Sequence, residues 1–423
     1  MLDIKKLREN PSKVIEKLKK RGIDATATIN KIIELEKNRI SNQQQLDFVL
    51  ETLNNIAKNI AVLARDKNFK NIKDEKDKAS VLKEKSKAFI SKSKEIENEI
   101  YSELIKLPNT PHSLVPDGLT ENDNKEIYRW GNFNSSNKII PHWDIAEKLN
   151  LIDFKGGAEI TGSGFPIYVG KGAKLQRGLI NFFLEFNSNA GYQEIIPPFF
   201  VNEKSAFNTG QIPDKEGMMY HIQDDNLFAI PTSEVPVTNI YNNKKLKLEE
   251  LPIKCTAYSP CFRREAGSYG KEVRGLNRLH QFDKVEIVQI CEPAKSYDVL
   301  EEMKEHVSSL LKLLGLKFRI LNLCGGDLGF TSCLTYDFEV FSPGQNKWLE
   351  VSSVSNFESF QSNRLKLRYN SSEKKNEYCH TLNGSSLALP RVMAAILEHY
   401  QMGDKIIIPE ALHKFTGFTE IKF

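Results

Sequence analysis

Cysteine is scarce in this sequence, and the short glycine motifs of many nucleotide-binding proteins are missing. The six cysteines form no Cys-x-x-Cys pair and have no histidine at zinc-ligand spacing, so the pattern predicts neither a disulfide framework nor a zinc site. No GxxxxGK[ST] motif occurs, and GGAEITGSGFP lacks the strand-to-helix setting of a dinucleotide fold. We expect its glycines to form a flexible turn before a sheet: Gly156, Gly157, Gly162 and Gly164.

Long apolar runs are also missing. No segment approaches the ~18 apolar residues of a membrane helix, and the start, MLDIKKLRENPSKV, has no apolar stretch followed by a small-residue cleavage site. Net charge is only +4, and the content of 40% hydrophobic and 27% charged residues is ordinary for a globular protein. We therefore expect a cytoplasmic protein with no membrane partner. Its 423 residues exceed one ordinary core and suggest two or three domains.

The first hundred residues have the pattern of two long helices. Residues 30–64 contain no proline or glycine, and apolar residues recur at steps of three and four: Leu46, Val49, Leu53, Ile56, Ile60 and Leu63. We expect the chain to turn within RDKNFKNIKDEKDK, residues 65–78. A second apolar stripe follows and ends at Pro108: Leu82, Phe89, Ile96, Ile100, Leu104 and Leu107. The pattern predicts an antiparallel hairpin, a coiled-coil arm spanning residues 1–108.

The predicted turn and the helix after it carry an excess of positive charge. Residues 65–95 contain eleven Lys or Arg against six Asp or Glu. Such a surface could bind a phosphate backbone, with Lys83, Lys85 and Lys87 as candidates, because that binding is driven largely by counterion release. A solvated, lysine-rich helical face is an equally good interpretation.

Beyond Pro108 the composition changes. PNTPHSLVPDG reads as the start of a linker, residues 109–130, and residues 131–423 as a second domain. YQEIIPPFFV, EVPVTNIY, KVEIVQI and FRILNL have the composition of strands, and KSYDVLEEMKEHVSSLLKLLG that of a helix. Strands and helices of unequal length in no strict order favour an α+β fold with an antiparallel sheet flanked by helices.

One segment, FRREAGSYGKEVRGLNRLHQFDKVE (Phe262 to Glu286), combines opposed charges with several glycines. It predicts a hairpin with a loop of about ten to fifteen residues, a length that is usually functional. Arg263 suits two-point contact with a phosphate or carboxylate, and Phe282 offers a ring for a base. Period-two alternation puts Glu286 on the same face as Phe282 and Lys284. The alternative is a surface hairpin with many salt bridges.

Two further segments contain candidate phosphate-binding groups. In KWLEVSSVSNF, Glu350 with the hydroxyls of Ser352 and Ser353 could hold Mg²⁺ between nucleotide phosphates. In HTLNGSSLALPRVMAAILEHY, Arg391 stands in the first turn of an amphipathic helix, where the helix dipole also favours a polyphosphate. Taken alone, Arg391 is better interpreted as an arginine on a solvated helix face.

In order and spacing, these segments resemble the seryl-tRNA synthetases of the bacterial type, which belong to the class II aminoacyl-tRNA synthetases. GYQEIIPPFF, with Pro198, is similar to the first class motif, the Phe262–Glu286 segment to the second, and NGSSLALPR to the third. PTSE (residues 231–234) and EVSSVSNFESFQSNR (residues 350–364) resemble stretches particular to the seryl branch. The N-terminal hairpin resembles that branch's tRNA-binding arm, so the resemblance spans essentially the whole chain.

This resemblance implies that the protein attaches L-serine to serine tRNA through a seryl-adenylate, using ATP and Mg²⁺, with no zinc, as a homodimer joined around Pro198. Arg263, Glu350 and Arg391 would be catalytic, holding the α-phosphate, Mg²⁺ and the distal phosphate. Glu265 would bind the adenine amino group, and Phe282 would stack on the ring. The implied ATP site is Arg263, Arg264, Glu265, Leu279, His280, Gln281, Phe282, Glu350, Val351, Ser352, Ser353 and Arg391. The implied serine site is Thr232, Ser233, Glu234, Glu286 and Ser385.

Two residues depart from the family pattern. Ser386 and Pro390 stand where the third motif usually has glycine. Pro390 is compatible with a helix's first turn, whereas Ser386 could crowd the ATP or serine side next to Ser385. Two other functions stay open: a related ligase that loads a different carrier, and an inactive scaffold that keeps the fold. The basic arm argues against the first, and the retained charges against the second.

Overall fold

The computed structural model describes residues 1–66, 69–132, 139–214, 217–265, 274–373 and 375–422. Chain contacts divide it into two compact units: Met1–Lys19 with Ile23–Pro108, and Lys20–Gly22 with Asn109–Phe423. The α-helices are α1 (Ile4–Glu9), α2 (Pro11–Lys19), α3 (Thr26–Arg65), α4 (Phe69–Leu104), α5 (His142–Lys148), α6 (Phe154–Ile160), α7 (Lys171–Asn189), α8 (Glu203–Thr209), α9 (Glu234–Asn239), α10 (Ser296–Leu313), α11 (Phe360–Leu365), α12 (Leu389–His399) and α13 (His413–Thr416).

The strands include short pairs and one large sheet. They are β1 (Lys125–Trp130), β2 (Ile152–Asp153), β3 (Ile167–Tyr168), β4 (Gln193–Glu194), β5 (Phe200–Asn202), β6 (His221–Ile222), β7 (Leu227–Ala229), β8 (Lys245–Leu246), β9 (Ile253–Phe262), β10 (Gln281–Cys291), β11 (Phe318–Asn322), β12 (Leu334–Ser342), β13 (Lys347–Asn356), β14 (Arg368–Asn370), β15 (Asn376–Tyr378), β16 (His380–Ala388), β17 (Gln401–Met402), β18 (Lys405–Ile407) and β19 (Glu420–Lys422).

The first unit is the expected antiparallel helical hairpin. Helices α3 and α4 pack against each other, and residues of both predicted apolar stripes are buried: Leu46, Val49 and Ile56 on α3, and Ile96 and Ile100 on α4. The chain reverses direction within the predicted segment 65–78, since α3 ends at Arg65 and α4 begins at Phe69. The later part of that segment belongs to α4, because a polar segment without apolar rhythm can still be helical when its charged side chains are solvated.

One buried polar residue fixes the pairing of these two helices. The side-chain amide of Asn42 donates to the carbonyl of Phe89 (2.8 Å) and to the hydroxyl of Ser93 (2.7 Å) across the hairpin. A buried asparagine in a coiled-coil seam costs stability but specifies register. The hairpin therefore has a defined alignment as well as an apolar seam.

The second unit is built on an eight-stranded sheet in the order β1-β11-β12-β13-β16-β10-β9-β4. Neighbouring strands are antiparallel except β4, which pairs parallel with β9. Helices α7, α10 and α12 cover one face, and the main hydrophobic core lies between them and the sheet. The α+β expectation is confirmed. Polar side chains from β10, β13 and β16 line the opposite face of the sheet.

The segment 109–130, expected to be a linker, contacts this sheet. Strand β1 pairs with β11, and the side-chain amide of Asn109 donates to the carbonyls of Thr331 (2.9 Å) and Phe357 (2.8 Å). The boundary near Pro108 remains a prediction. In the described ranges, no helix has the length and apolarity needed to cross a bilayer.

Three local predictions were wrong in whole or in part. EVPVTNIY forms α9 and not a strand; a short β-branched run buried on all sides cannot be assigned by periodicity. The first-motif segment has only the short strands β4 and β5 on either side of its prolines, which cannot donate to a ladder. The expected turn at GGAEITGSGFP is only partly correct: Gly156 and Gly157 are in α6, which the Asp153 carboxylate caps by accepting from the amide of Gly156 (2.8 Å), whereas Gly162 and Gly164 follow the helix at positive φ.

Candidate active site

The second-motif hairpin holds an arginine over an aromatic ring. Strands β9 and β10 are joined by residues 263–280, longer than the predicted loop; within it, residues 266–273, with Gly267 and Gly270, lie outside the described residues. The amide of Arg263 donates to the carbonyl of His280 (2.9 Å), which extends the β ladder past β9. The Arg263 guanidinium then sits 5.2 Å from the centre of the Phe282 ring. The hairpin thus places a planar cation, the Arg263 guanidinium, next to an aromatic ring, that of Phe282.

His280 is held by its neighbours. Its Nδ1 lies 2.7 Å from the Tyr220 hydroxyl, and its ring stacks on Phe165 at 5.5 Å. Its amide donates to the carbonyl of Gly164 (2.9 Å), where any Cβ would meet the imidazole at 2.5 Å. Gly164 is therefore required for this contact. His280 supports the strand that carries Phe282.

The other predicted second-motif residues have different surroundings. Leu279 is buried in the core, whereas Gln281 and Arg264 are exposed. The amide of Arg264 donates to the carbonyl of Met218 (2.8 Å). Glu265 forms an ion pair with Arg278, so an adenine amino group at Glu265 would share that carboxylate with a guanidinium.

Two carboxylates meet on the polar face of the sheet. Glu286 on β10 is 1% exposed and forms an ion pair with Lys284 at 2.6 Å. Glu234, the first residue of α9, is also buried. The amide of Asn383 on β16 donates to both, to Glu234 Oε2 at 2.7 Å and to Glu286 Oε1 at 2.9 Å. Gln361 on α11 donates to Glu234 Oε1 at 2.6 Å. We call Glu234, Glu286, Lys284, Asn383 and Gln361 the carboxylate cluster.

Glu234 and Glu286 have different charged neighbours. Burial and the nearby Glu286 raise the pKa of Glu234 to about 7, although the hydrogen bond from Gln361 opposes this rise. Glu286 has Lys284 in direct contact as its counter-ion. Glu234 is therefore poised between its two forms near neutral pH and would become fully ionised beside an added cation.

Of the remaining predicted serine-site residues, Ser385 contacts the carboxylate cluster. Its hydroxyl donates to Glu286 Oε2 at 3.3 Å, and the two residues are direct partners across β16 and β10. Thr232 is buried, and its hydroxyl accepts from the amide of Glu234 (3.3 Å). The Ser233 hydroxyl donates instead to the carbonyl of Ala257 (3.3 Å), so it faces strand β9.

Strand β13 presents Glu350 through a β-bulge. Glu339 pairs with Glu350 but Phe338 with Ser352, so one extra residue lies on β13 between them. The bulge puts Glu350 and Ser353 on one face despite their spacing of three, and the Ser353 hydroxyl lies 3.3 Å from Glu350 Oε1. Val351 points into the core, and the Ser352 hydroxyl donates to the carbonyl of Ser385 (2.5 Å).

Asp337 is a third acid at this point and was not predicted. The Ser353 hydroxyl donates to its Oδ1 at 2.6 Å. Burial, reinforced by the Glu350 charge, raises the pKa of Asp337 well above its ordinary value. Among the described residues, no group of three or more His, Cys, Asp or Glu could hold a metal ion by itself. Exposed Glu350 and half-buried Ser353 offer hard oxygen donors that suit a cation also bound by phosphates.

Arg391 occupies the predicted first turn of α12. Its Nε donates to the carbonyl of Asn277 (2.9 Å) and its Nη1 to the carbonyl of Glu350 (2.7 Å). Pro390, one of the two departures, precedes it in that turn, where no hydrogen bond is lost. The guanidinium remains 31% exposed, on the same side as Glu350.

Ser386, the other departure, is fully buried. Its hydroxyl donates to the side-chain oxygen of Asn187 on α7 (2.9 Å), on the helix-covered face of the sheet and away from Glu286. The added hydroxyl thus has a hydrogen-bond partner in the core.

Sequence reasoning missed Asn383, Gln361 and Asp337. Asn383 could have been found, since period-two alternation on β16 puts it on the face of Ser385. Gln361 and Asp337 carry no comparable signal, because only the packing of α11 brings Gln361 to Glu234 and only the pairing of β12 with β13 brings Asp337 to Ser353. The arm candidates Lys83, Lys85 and Lys87 are exposed on α4, and Lys87 pairs with Glu84.

Comparison with known families agrees with this geometry. A family model described as "tRNA synthetase class II core domain (G, H, P, S and T)" matches residues 220–400. That range holds the Arg263–Phe282 pair, the carboxylate cluster, Glu350 and Arg391. Fold and site thus define a class II aminoacyl-tRNA synthetase. A second model, "Seryl-tRNA synthetase N-terminal domain", matches residues 1–111, which contain the helical hairpin.

Relatives extend the match to the full length. The chain is 45% identical to the serine–tRNA ligase of Salinibacter ruber, covering 100% of this chain and 99% of that protein, and 44% identical to that of Thermodesulfovibrio yellowstonii, covering 100% of both. The crystal structure of seryl-tRNA synthetase from Pyrococcus horikoshii complexed with ATP has a TM-score of 0.94 at 32% identity, covering 100% of this chain and 99% of that one. The chain belongs to the seryl-tRNA synthetases.

Proposed function

We propose that this protein attaches L-serine to serine tRNA in two steps, through a seryl-adenylate formed from ATP. The observation that carries the proposal is the composition of strand β10. Phe282, Lys284 and Glu286 alternate along one face, so a ring for a base and a paired carboxylate for an ammonium group lie on the same strand. An aminoacyl-adenylate fits this arrangement, with its base at Phe282 and its ammonium group at Glu286.

ATP would bind across the second and third motifs. Stacking on Phe282 would hold the adenine, and Arg263, beside that ring, would hold the α-phosphate. Arg391 would bind the distal phosphate from the first turn of α12. The ATP-complexed relative from Pyrococcus horikoshii supports this assignment. Glu350 and Ser353 would hold Mg²⁺ against the phosphates, where the ion would offset phosphate charge.

Serine would bind in the carboxylate cluster. Its ammonium group would pair with Glu286, and its arrival would favour the ionised form of Glu234. Its hydroxyl would bond a polar group such as Ser385 or Thr232. A site built around that hydroxyl rejects alanine by roughly 10⁴-fold, since the partner is left unpaired, whereas threonine must be excluded by size.

The chemistry needs positioning more than proton transfer. A serine carboxylate oxygen would attack the α-phosphorus in line, and pyrophosphate would leave to give seryl-adenylate. The terminal ribose hydroxyl of the tRNA would then attack the seryl carbonyl carbon, releasing AMP. A carboxylate is already a nucleophile at neutral pH, so Arg263 and Arg391 would act by orientation and by stabilising charge on the phosphates.

The partners are tRNA and a second copy of the chain. Lys83, Lys85 and Lys87 on α4 would contact tRNA phosphates, and the excess of positive charge around them supports this. The homodimer would form around Pro198, where Ile196 is 83% exposed beside the sheet-edge strand β4. These partners imply a location in the cytoplasm.

Amino-acid-dependent ATP–pyrophosphate exchange, measured without tRNA, tests the first step. Serine should support exchange, while threonine, alanine and glycine should not. Arg263→Ala should abolish it, and Arg65→Ala, which removes the same charge from the hairpin, should not. Exchange with serine but no transfer to tRNA would favour a ligase for another carrier. If folded protein binds ATP but supports no exchange with any of these amino acids, the result would favour the inactive scaffold.

A further inference from the structure

A ring of polar side chains lies behind Arg391, and none of its members has been given a role so far. His142, the first residue of α5, and Glu398, near the end of α12, are both 0% exposed. Glu398 Oε1 accepts from His142 Nδ1 (2.8 Å) and from the His142 amide (3.0 Å), and its Oε2 accepts from the Ser342 hydroxyl and the Gly344 amide (3.0 Å). Burial raises the pKa of Glu398, but these bonds outweigh it and hold the pKa below its ordinary value.

The other nitrogen of His142 holds the returning limb of the second-motif loop. Its Nε2 accepts from the amide of Leu276 at 2.9 Å. Because Nδ1 donates to Glu398, Nε2 carries the lone pair that this bond requires. Gly275 is tight against the ring, since a Cβ there would lie 2.4 Å from Nε2. The imidazole therefore sets the backbone of residues 275–276.

That backbone leads directly to Arg391. The carbonyl of the next residue, Asn277, accepts from Arg391 Nε (2.9 Å). The side-chain amides of Asn277 and Gln345 form two hydrogen bonds with each other (2.8 and 3.2 Å). Gln345 also donates a hydrogen bond to the Ser342 hydroxyl (2.9 Å). The hydrogen bonds thus form a closed ring through Glu398, His142, Leu276, Asn277, Gln345 and Ser342.

We propose that His142 and Glu398 are positioning residues that fix the carbonyl of Asn277, and through it the guanidinium of Arg391, for the distal phosphates of ATP. This inference rests on the proposed function, which makes Arg391 a phosphate ligand. An arginine left free to sample many rotamers loses that freedom on binding ATP, whereas one already held by a rigid acceptor loses less. The buried ring supplies that rigidity from behind the site.

The test compares ATP with AMP, which lacks the phosphates that Arg391 would hold. His142→Asn keeps a donor near Nδ1 for Glu398 but removes the acceptor for Leu276. Measured by calorimetry without serine, its ATP affinity should fall about tenfold while its AMP affinity stays within about twofold, because one hydrogen bond of support is lost only for the distal phosphates. In an Arg391→Ala background, the same substitution should have no further effect on ATP.

A matched control is His306→Asn on α10, which removes a partly buried 2.7 Å hydrogen bond between His306 Nε2 and Asn187. It should lower stability but keep the wild-type ratio of ATP to AMP affinity. Equal losses for ATP and AMP in His142→Asn, or a full tenfold loss in the Arg391→Ala background, would overturn the proposal. If His142→Asn does not fold, Gln345→Leu cuts the ring at Asn277 and should change the same ratio. Failure of the proposed function is seen separately, as wild-type protein that binds ATP but forms no seryl-adenylate.

Discussion

Two ion pairs show how differently the catalytic sheet and the helical hairpin use charge. Lys284 and Glu286 on β10 are 7% and 1% exposed, whereas Glu84 and Lys87 on α4 are 71% and 70% exposed. The first pair is shielded from water, so removing one member leaves a charge without solvation. The second pair is screened and contributes little to stability. In the sheet, charge is concentrated in a buried site, while in the hairpin it stays in solvent, where we propose that it attracts a polyanion.

The largest effect is expected at the buried pair. Glu286→Gln leaves Lys284 without its partner and removes the carboxylate proposed for the serine ammonium. We expect a loss of about 4 kcal/mol, roughly a thousandfold in serine-dependent kcat/KM, measured by ATP–pyrophosphate exchange. AMP binding should stay nearly unchanged. Glu84→Gln in the hairpin is the matched control and should leave exchange at the wild-type rate.

A pH experiment distinguishes the two carboxylates of the cluster. The pKa of Glu234 is raised from 4.5 to about 7 in the folded protein, so the unfolded chain loses this proton first as pH rises. Folding stability from this group is therefore complete below about pH 4.5 and is lost as pH rises to about 7, by about 3 kcal/mol. Urea unfolding of wild type and Glu234→Gln at pH 5 and pH 8 should show the larger drop in wild type. An equal loss of unfolding free energy in the two proteins would contradict a raised pKa at Glu234.

The hairpin should respond in a different reaction step. Replacing Lys83, Lys85 and Lys87 together by alanine should weaken tRNA charging about tenfold and lower its salt dependence, because fewer counterions are released. Serine-dependent pyrophosphate exchange should be unaffected. Kinetics of both steps at two salt concentrations provide the measurement. An equal loss in both steps would remove the hairpin's assignment to tRNA.

The smallest effect is expected at Ser386. Ser386→Ala removes its hydrogen bond to Asn187 in the core, so we expect a loss of about 1 kcal/mol in unfolding free energy. The KM for serine should stay within about twofold, because the hydroxyl faces away from Glu286. A large rise in that KM would place Ser386 in the serine site after all.

Part of the site was predictable and part was not. Phe282, Lys284 and Glu286 lie on one face of β10 as predicted, because alternation along one strand is a local property. Arg263 was named as a candidate, but its position over the Phe282 ring depends on the pairing of β9 with β10. The helix at Glu234 was mistaken for a strand, since its β-branched run is buried on every side. The β-bulge that aligns Glu350 with Ser353 was also unforeseen, because a bulge depends on the pairing of two strands.

The sequence alone determined the helical hairpin with its apolar seam, the α+β class, the family, and the face of β10 that carries Phe282, Lys284 and Glu286. These follow from periodicity and from motifs, which are read within a few residues. Only the tertiary structure decided that Asn383 bridges Glu234 and Glu286, that Asp337 lies against Ser353, and that a buried histidine stands behind Arg391. Such contacts join residues far apart in the chain, and packing of strands and helices, not local pattern, sets which of them meet.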